Sequence, residues 1–450
     1  MSLLLSWLNA VSCSSSEGKT SVASRGGASI VGATPEGRSS FSALRIESST
    51  ASEILNSNTS ASDDIVSVLT HPSLPSLPSL QSLIPRLNPS HLFSASFLRL
   101  CSLAAPSSGT GSTVLAFSAS SHLLYTANES FLSVYDLSDL RPIEFIPIPP
   151  GTGATKSISL SLDGPAVFTT HQDGSIRVWR RSSRSGLHRL QTSLPTPADQ
   201  LRRLPLPKNY VTVRRHQKCL WIKHADAVSG ISSGTIGLFY SVSWDKTLKV
   251  WSSSSLRCLE SIQAHEDAVN AVAVAADGTV YTGSADCMIR VWVRSDGAET
   301  HDLVATLDRH RSSVNALALS SDGSVLYSGA CDRSVLVWER EKCPSYMAVT
   351  GALRGHERAI LCLACVGELV ISGSGDRTVR IWRREGFRMG YSCLAVMEGH
   401  ARGIKSLAAV RMPNGDEAGV PEVYRVCSGS LDGELAFSLL GADEIQAVQH

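Results

Sequence analysis

Eleven cysteines in 450 residues form a sparse, odd-numbered set without regular spacing. That excludes the disulfide-stapled scaffold of a small secreted protein and points to a reducing compartment. The one close pair, Cys362 and Cys365, lies in an apolar run that reads as a strand, where residues three apart face opposite sides; zinc or redox chemistry is not expected there. Charge is scarce too. Charged residues make up 18%, and 41 Lys plus Arg nearly cancel 40 Asp plus Glu, leaving a formal +1. With 43% apolar residues, this excludes a wholly disordered chain and a chain-wide nucleic-acid coat. No run approaches the roughly 20 apolar residues that cross a bilayer, so no membrane span is expected. A phosphate loop of the form GxxxxGK[ST] is missing. The opening MSLLLSWLNAVSC has no basic flank before its apolar run and makes a poor secretory signal, while the Ser-rich, acid-poor first fifty residues leave a transit peptide as the competing reading.

What is present changes character along the chain. Residues 1–75 are rich in Ser, Thr, Ala and Gly without a sustained apolar period, and such a segment buries too little surface to offset its ordering entropy; a disordered tail is expected. Residues 76–112 open on HPSLPSLPSLQSLIPRLNPSHL, where the prolines forbid a helix and suit a linker or an edge strand.

From about residue 113 the chain repeats itself. Five segments end alike, in GSIRVW at Trp179, KTLKVW at Trp251, CMIRVW at Trp292, RSVLVW at Trp338 and RTVRIW at Trp382. The last four tryptophans stand 41, 46 and 44 residues apart, the period of a four-stranded propeller blade. Six residues before each lies an aspartate (Asp173, Asp245, Asp286, Asp332, Asp376), and four before that a hydroxyl (Thr169, Ser241, Thr282, Ser328, Ser372). In four units a histidine opens the repeat: His224, His265, His310 and His356. Within a unit, runs such as AVNAVAV, TVYTGS and MIRVW alternate between DG or GD turns, which reads as antiparallel strands.

These marks resemble the WD40-repeat family over about residues 113–438. The resemblance implies an all-β, seven-bladed propeller, with blades near 113–137, 155–180, 221–252, 262–293, 307–339, 353–383 and 397–438. Two units are degenerate. The first has Glu129 and Tyr135 in place of Asp and Trp, and the last has Ser438 in place of Trp. A sheet with two apolar faces must be sandwiched, and only a closed ring leaves none open. The last blade still needs a fourth strand, from residues 76–100 or from ADEIQAV at 442–448.

Ser or Thr, His and Asp together form the inventory of a catalytic triad. Recurrence in blade after blade argues against that reading. A buried indole N–H needs an acceptor, and a relay from Trp to hydroxyl to His to Asp satisfies it and locks the turn. No activity, cofactor or metal is expected, since each histidine is about one repeat from the next, too far for a shared ion.

By the repeat's register, Trp244 sits just before its blade's structural Asp, and Asn270, Asn315, Leu361 and Lys405 open first strands. These five are the expected rim of a protein-binding face, with Trp244 as its exposed anchor. A second candidate surface is an insert at 180–218, where ten Lys and Arg stand against one Asp, a net of +9; it suits an acidic protein, RNA or anionic lipid. Few aromatics accompany it, which disfavours RNA.

The stretch PKNYVTVRRHQKCLWIKHADAVS, with SVSWDKTLKVW, LRCLESIQAHEDAVNAV and the earlier SLPSLPSLQS, is similar to the plant JINGUBANG-like group of WD40 proteins. That likeness implies a monomeric scaffold of a plant cell, cytoplasmic or nuclear, binding a signalling or transcriptional protein. A substrate receptor of a cullin-type ubiquitin ligase is the alternative; such WD40 proteins often carry Asp directly after the blade's Trp, where this chain has Arg180, Ser252, Val293, Glu339 and Arg383.

Overall fold

The chain divides into Met1–Ser76 and Leu77–His450. The structure, a computed structural model, describes residues 97–98, 114–118 and 122–441, apart from 163, 215–216, 235–236, 296, 341–345, 386–389 and 413–422. The Ser-rich tail, most of the Pro/Ser linker and the ADEIQAV segment lie outside the described residues.

Seven four-stranded antiparallel sheets follow one another along the chain. They form a seven-bladed propeller, with blade 1 at 114–147, blade 2 at 155–194, blade 3 at 228–263, blade 4 at 269–307, blade 5 at 314–353, blade 6 at 360–397 and blade 7 at 404–441. The first strand of each blade touches the first strand of the next all the way round, including blade 7 to blade 1. These inner strands line the ring. In blade 4 the inner strand Val269–Val274 alternates buried and half-buried residues, the second strand Val280–Ser284 is buried throughout, and the outer strand Asp302–Leu307 is largely exposed. Burial on both faces of the second strand explains its unbroken run of apolar and small residues.

Neighbouring blades interlock through two residue types. Each repeat tryptophan packs into a core shared with the preceding blade: Trp292 joins Tyr240, Val242 and Val250, and Trp338 joins Tyr281, Ile289 and Val291. Glycine after the structural hydroxyl lets the next inner strand approach, since a Cβ on Gly283 would lie 2.7 Å from Val314, and one on Gly329 would lie 2.4 Å from Ile360.

The last sheet takes its fourth strand from the N-terminal side. Phe97–Leu98 pairs antiparallel with Leu435–Gly441, Phe97 opposite Ser438 and Leu98 opposite Phe437. The ring is therefore closed by strands from opposite ends of the propeller.

Between blades 2 and 3 the extra residues begin later than residue 180, because His188–Leu194 is the outer strand of blade 2. The insert proper starts with the helix Pro197–Arg203, capped by Thr196, whose hydroxyl accepts from the Asp199 N–H at 3.2 Å, with proline in the first turn. A hairpin follows, Tyr210–Arg214 against Gln217–Leu220, so YVTVR is one strand of a two-stranded ribbon. No helix among the described residues is long and apolar enough to cross a membrane.

Candidate protein-binding face

The turns between second and third strands set the face. After Asp245, Asp286, Asp332 and Asp376 the next residue, Lys246, Cys287, Arg333 or Arg377, has φ between 70° and 73°. This left-handed conformation costs a non-glycine residue roughly 1–2 kcal/mol. The aspartate holds it: one carboxylate oxygen accepts the N–H two residues on, as in Thr247 to Asp245 at 3.0 Å and Met288 to Asp286 at 2.9 Å.

The other carboxylate oxygen anchors a relay. In blade 3 the Trp251 indole donates to Ser241 Oγ at 2.8 Å, Ser241 lies 2.8 Å from His224 Nε2, and His224 Nδ1 lies 3.1 Å from Asp245. Blade 4 repeats this with Trp292, Thr282, His265 and Asp286 at 3.0, 2.8 and 2.8 Å. Blade 5 uses Trp338, Ser328, His310 and Asp332 at 2.7, 2.7 and 2.9 Å. Blade 6 uses Trp382, Ser372, His356 and Asp376 at 2.9, 2.8 and 2.8 Å. Because the carboxylate can only accept, Nδ1–H donates to it, and in a neutral ring Nε2 then accepts from the hydroxyl, which itself accepts from the indole. Burial pushes the His224 and His265 pKa values down, against the pull of Asp245 and Asp286, and favours the neutral ring. Burial opposes ionisation of Asp245, but the His224, Thr247 and Ala225 bonds outweigh it and hold the carboxyl below its usual range. The four hydroxyl residues, Ser241, Thr282, Ser328 and Ser372, are 0% exposed, so none can meet a substrate.

Three blades depart from this pattern. In blade 2, Trp179 donates to Thr169 at 2.9 Å, but Thr169 lies 2.8 Å from Nε2 of His171, a residue of its own strand. Asp173 Oδ1 accepts from Ser175, and its Oδ2 meets Arg177 at 3.2 Å in place of a histidine. Nothing in the Trp-based register flags His171, which lies two residues past the hydroxyl instead of opening the repeat. Burial first, then the Arg177 charge, lowers the His171 pKa to about 3. A depressed histidine contributes stability that is present above its unfolded pKa of about 6.5 and is lost as pH falls toward the folded value. Acidification from pH 7 to pH 5 should therefore remove about 2 kcal/mol through His171 alone. Chemical denaturation of His171→Gln at the two pH values should show a pH loss smaller by that amount, and an equal loss would refute the assignment.

In blade 1 the turn is one residue shorter, so Tyr135 meets Thr126, with Ser133 as a second hydroxyl partner. In blade 7, His400 Nε2 lies 2.8 Å from Ser428, but Ser438 stands at the tryptophan's place, buried with its Oγ unpartnered. Among the described residues, His400, Asp432 and Glu434 bring ligand atoms within 4.8 Å of one another; the first two are the relay positions of this blade.

The rim residues ride on β-bulges. In blades 2 to 7 the register between first and second strands shifts at the inner strand's second residue. Those residues are Lys156, Ser229, Asn270, Asn315, Leu361 and Lys405, and a bulge re-aims the side chain it carries. Some also tie blades together. Ser229 donates to the Val269 carbonyl, the Asn270 amide to Val314 at 3.0 Å and the Asn315 amide to Ile360 at 2.8 Å. Leu361 and Lys405 are half-buried at the same level. Trp244 is half-buried rather than open, with Lys156 Nζ 5.1 Å from its ring centroid, a cation–π contact. Lys156 holds in TKSISL the place Asn270 holds in VNAVAV, so the register was able to reveal it. Desolvation, then Lys405, lowers the Lys156 pKa, and desolvation lowers that of Lys405. Two bulge positions therefore carry partly desolvated ammonium groups, Lys156 against the Trp244 ring and Lys405 close enough to lower the Lys156 pKa.

A second set of contacts joins outer strands. Tyr125 lies 3.2 Å from His188 of the next blade, and His188 Nδ1 lies 2.9 Å from Glu144. Tyr240, His301 and Glu260 repeat this at 3.1 and 2.7 Å. The Glu-to-His separations, 44 and 41 residues, equal the repeat period, a signal the tryptophan-centred reading missed.

The fold defines a closed seven-bladed propeller whose blades are stapled by tryptophan relays. The family model described as WD domain, G-beta repeat matches residues 256–293, 301–339 and 348–383. Each match spans the outer strand of one blade and the first three strands of the next. These three units and the seven-bladed ring fit the WD40 family. No curated protein matches the chain.

Proposed function

We propose that the protein is a non-enzymatic interaction scaffold that captures a segment of a partner protein on the ring face around Trp244, Lys156, Asn270, Asn315, Leu361 and Lys405. The observation that supports this reading is the ring of bulged positions, one on each of six inner strands, at which polar, apolar and charged side chains replace one another while the repeated hydroxyls stay buried. A catalytic role for the Ser–His–Asp sets is disfavoured by that same burial. The likeness to the JINGUBANG-like group supports a regulatory role in a plant cell, in cytoplasm or nucleus, with a signalling or transcriptional protein as partner.

The test is Trp244→Ala, compared with the unaltered protein by mass spectrometry of co-purifying proteins and then by affinity for whatever is found. A half-buried aromatic anchor is worth about 2 kcal/mol or more, roughly 30-fold in Kd. Loss of discrete partners at an unchanged melting temperature is expected. Retention of the same partners at the same affinity would move the binding site elsewhere.

A further inference from the structure

The insert between blades 2 and 3 turns its apolar side outward. Leu201 is 67% exposed, Leu204 47% and Leu206 46%. Leu201 and Leu204 are three residues apart at the end of the helix Pro197–Arg203, and so share a side. Two polar side chains of the same segment, Asp199 and Asn209, point inward instead. Asp199 is buried and lies 3.6 Å from Arg257 of blade 3. The Asn209 amide donates to the Arg203 carbonyl at 2.9 Å, Gln200 to that of Pro195 at 2.8 Å, and the Tyr210 hydroxyl to that of Leu204 at 3.1 Å. The Arg203 guanidinium lies 4.7 Å from the Trp221 ring centroid. These contacts hold the segment in one shape with its leucines in water, the reverse of what apolar burial favours. Leu259, 50% exposed, stands two residues beyond Arg257 on the edge of blade 3.

Beyond Asp199 the sequence of the insert carries one sign of charge. From Gln200 to Lys223 there are seven Lys and Arg and no Asp or Glu, and Arg202 and Lys208 are exposed within the leucine run. A second copy of the same patch is repelled by its charge. A lipid surface is poorly matched, because the helix has seven residues and Pro205 and Pro207 interrupt the leucines, where an interfacial helix needs a long one-sided stripe. Apolar side chains flanked by carboxylates satisfy both features at once.

We propose that the segment 201–208 is a second docking surface, for an acidic amphipathic helix of a partner protein whose apolar side chains cover Leu201, Leu204 and Leu206 and whose carboxylates face Arg202 and Lys208. This surface shares no residue with the ring face, so the two can engage different segments.

The probe is a fluorescein-labelled peptide of about eighteen residues built from Glu and Leu, with Leu at helical spacing, titrated with the full-length protein by anisotropy. Micromolar binding that weakens with added salt is expected. Leu201→Ser with Leu204→Ser should weaken it about tenfold or more, as should Arg202→Glu with Lys208→Glu, whereas Trp244→Ala should leave it unchanged. The leucines are exposed, so the melting temperature should stay put in every variant. Absence of binding at about 100 μM protein, or binding untouched by the leucine changes, overturns the proposal. So does equal binding of a Glu/Ser peptide, which would show charge attraction alone. Leucine-dependent sedimentation with phosphatidylserine vesicles, without peptide binding, would overturn it in favour of a lipid surface.

Discussion

Replacing Trp292 with alanine is expected to destabilise the propeller by about 3–5 kcal/mol. Two losses combine. The indole is 4% exposed and sits among Leu238, Tyr240, Val242 and Val250 of blade 3, so its removal opens a cavity between two blades. Its N–H also supplies the first bond of the relay to Thr282 at 3.0 Å, and without it a buried hydroxyl keeps one acceptor unfilled. Trp292→Phe separates the terms: it retains most of the packing and loses the bond, and should cost about 1–2 kcal/mol. Because the tryptophan belongs to a core shared with the preceding blade, both variants should lower a single unfolding transition instead of melting one blade. Denaturant curves of both variants test this; a Trp292→Ala midpoint equal to that of the unaltered protein would show that the blade is held by other means.

Removing the ring-closing strand is the second large perturbation. A chain beginning at Leu77 keeps Phe97–Leu98 opposite Phe437 and Ser438, while one beginning at Cys101 loses it. The ladder of two residue pairs, at about 1 kcal/mol per hydrogen bond, together with apolar surface on the newly bared strand Leu435–Gly441, places the loss at about 2–4 kcal/mol. An unpaired edge also templates pairing between chains. The shorter chain should melt earlier and elute as larger species in size-exclusion chromatography, whereas the chain from Leu77 should behave as the full protein does. Equal melting and elution of the two would mean that the sheet Ile404–Arg411, Val423–Ser430 and Leu435–Gly441 closes the ring without help.

The offset between the matched repeat and the blade explains why this strand comes from so far away. A unit such as 256–293 contributes its first strand, Cys258–Gln263, to the preceding blade and its other three to the next. By the same offset, Phe97–Leu98 is the first strand of the unit that continues into blade 1, and the blade preceding blade 1 in a ring is blade 7. Interlocking of this kind converts nearest-neighbour contacts into closure, which leaves no sheet face uncovered.

Much was legible before any coordinates. A period of 41 to 46 residues ending in tryptophan leaves a four-stranded unit with two apolar faces few ways to satisfy itself, and seven such units make a ring. The regular distances from Trp to Asp and to Ser or Thr also named residues that a strand–turn–strand brings close, because those separations are short and local. Contacts between blades carried no such mark. Asn270 reaches the carbonyl of Val314, Tyr240 meets His301, and Lys156 covers Trp244, each pair separated by forty residues or more. Their meeting depends on the curvature of the whole ring. Blade 2 shows the limit most clearly, since Asp173 keeps its place in the pattern yet bonds Arg177, while His171 takes the histidine's part. Periodic burial and turn chemistry, both local properties, determine the blades and their number. Which strand closes the ring, which side chains ride on bulges into its centre, and that the insert's leucines face water were decided only when distant segments packed together.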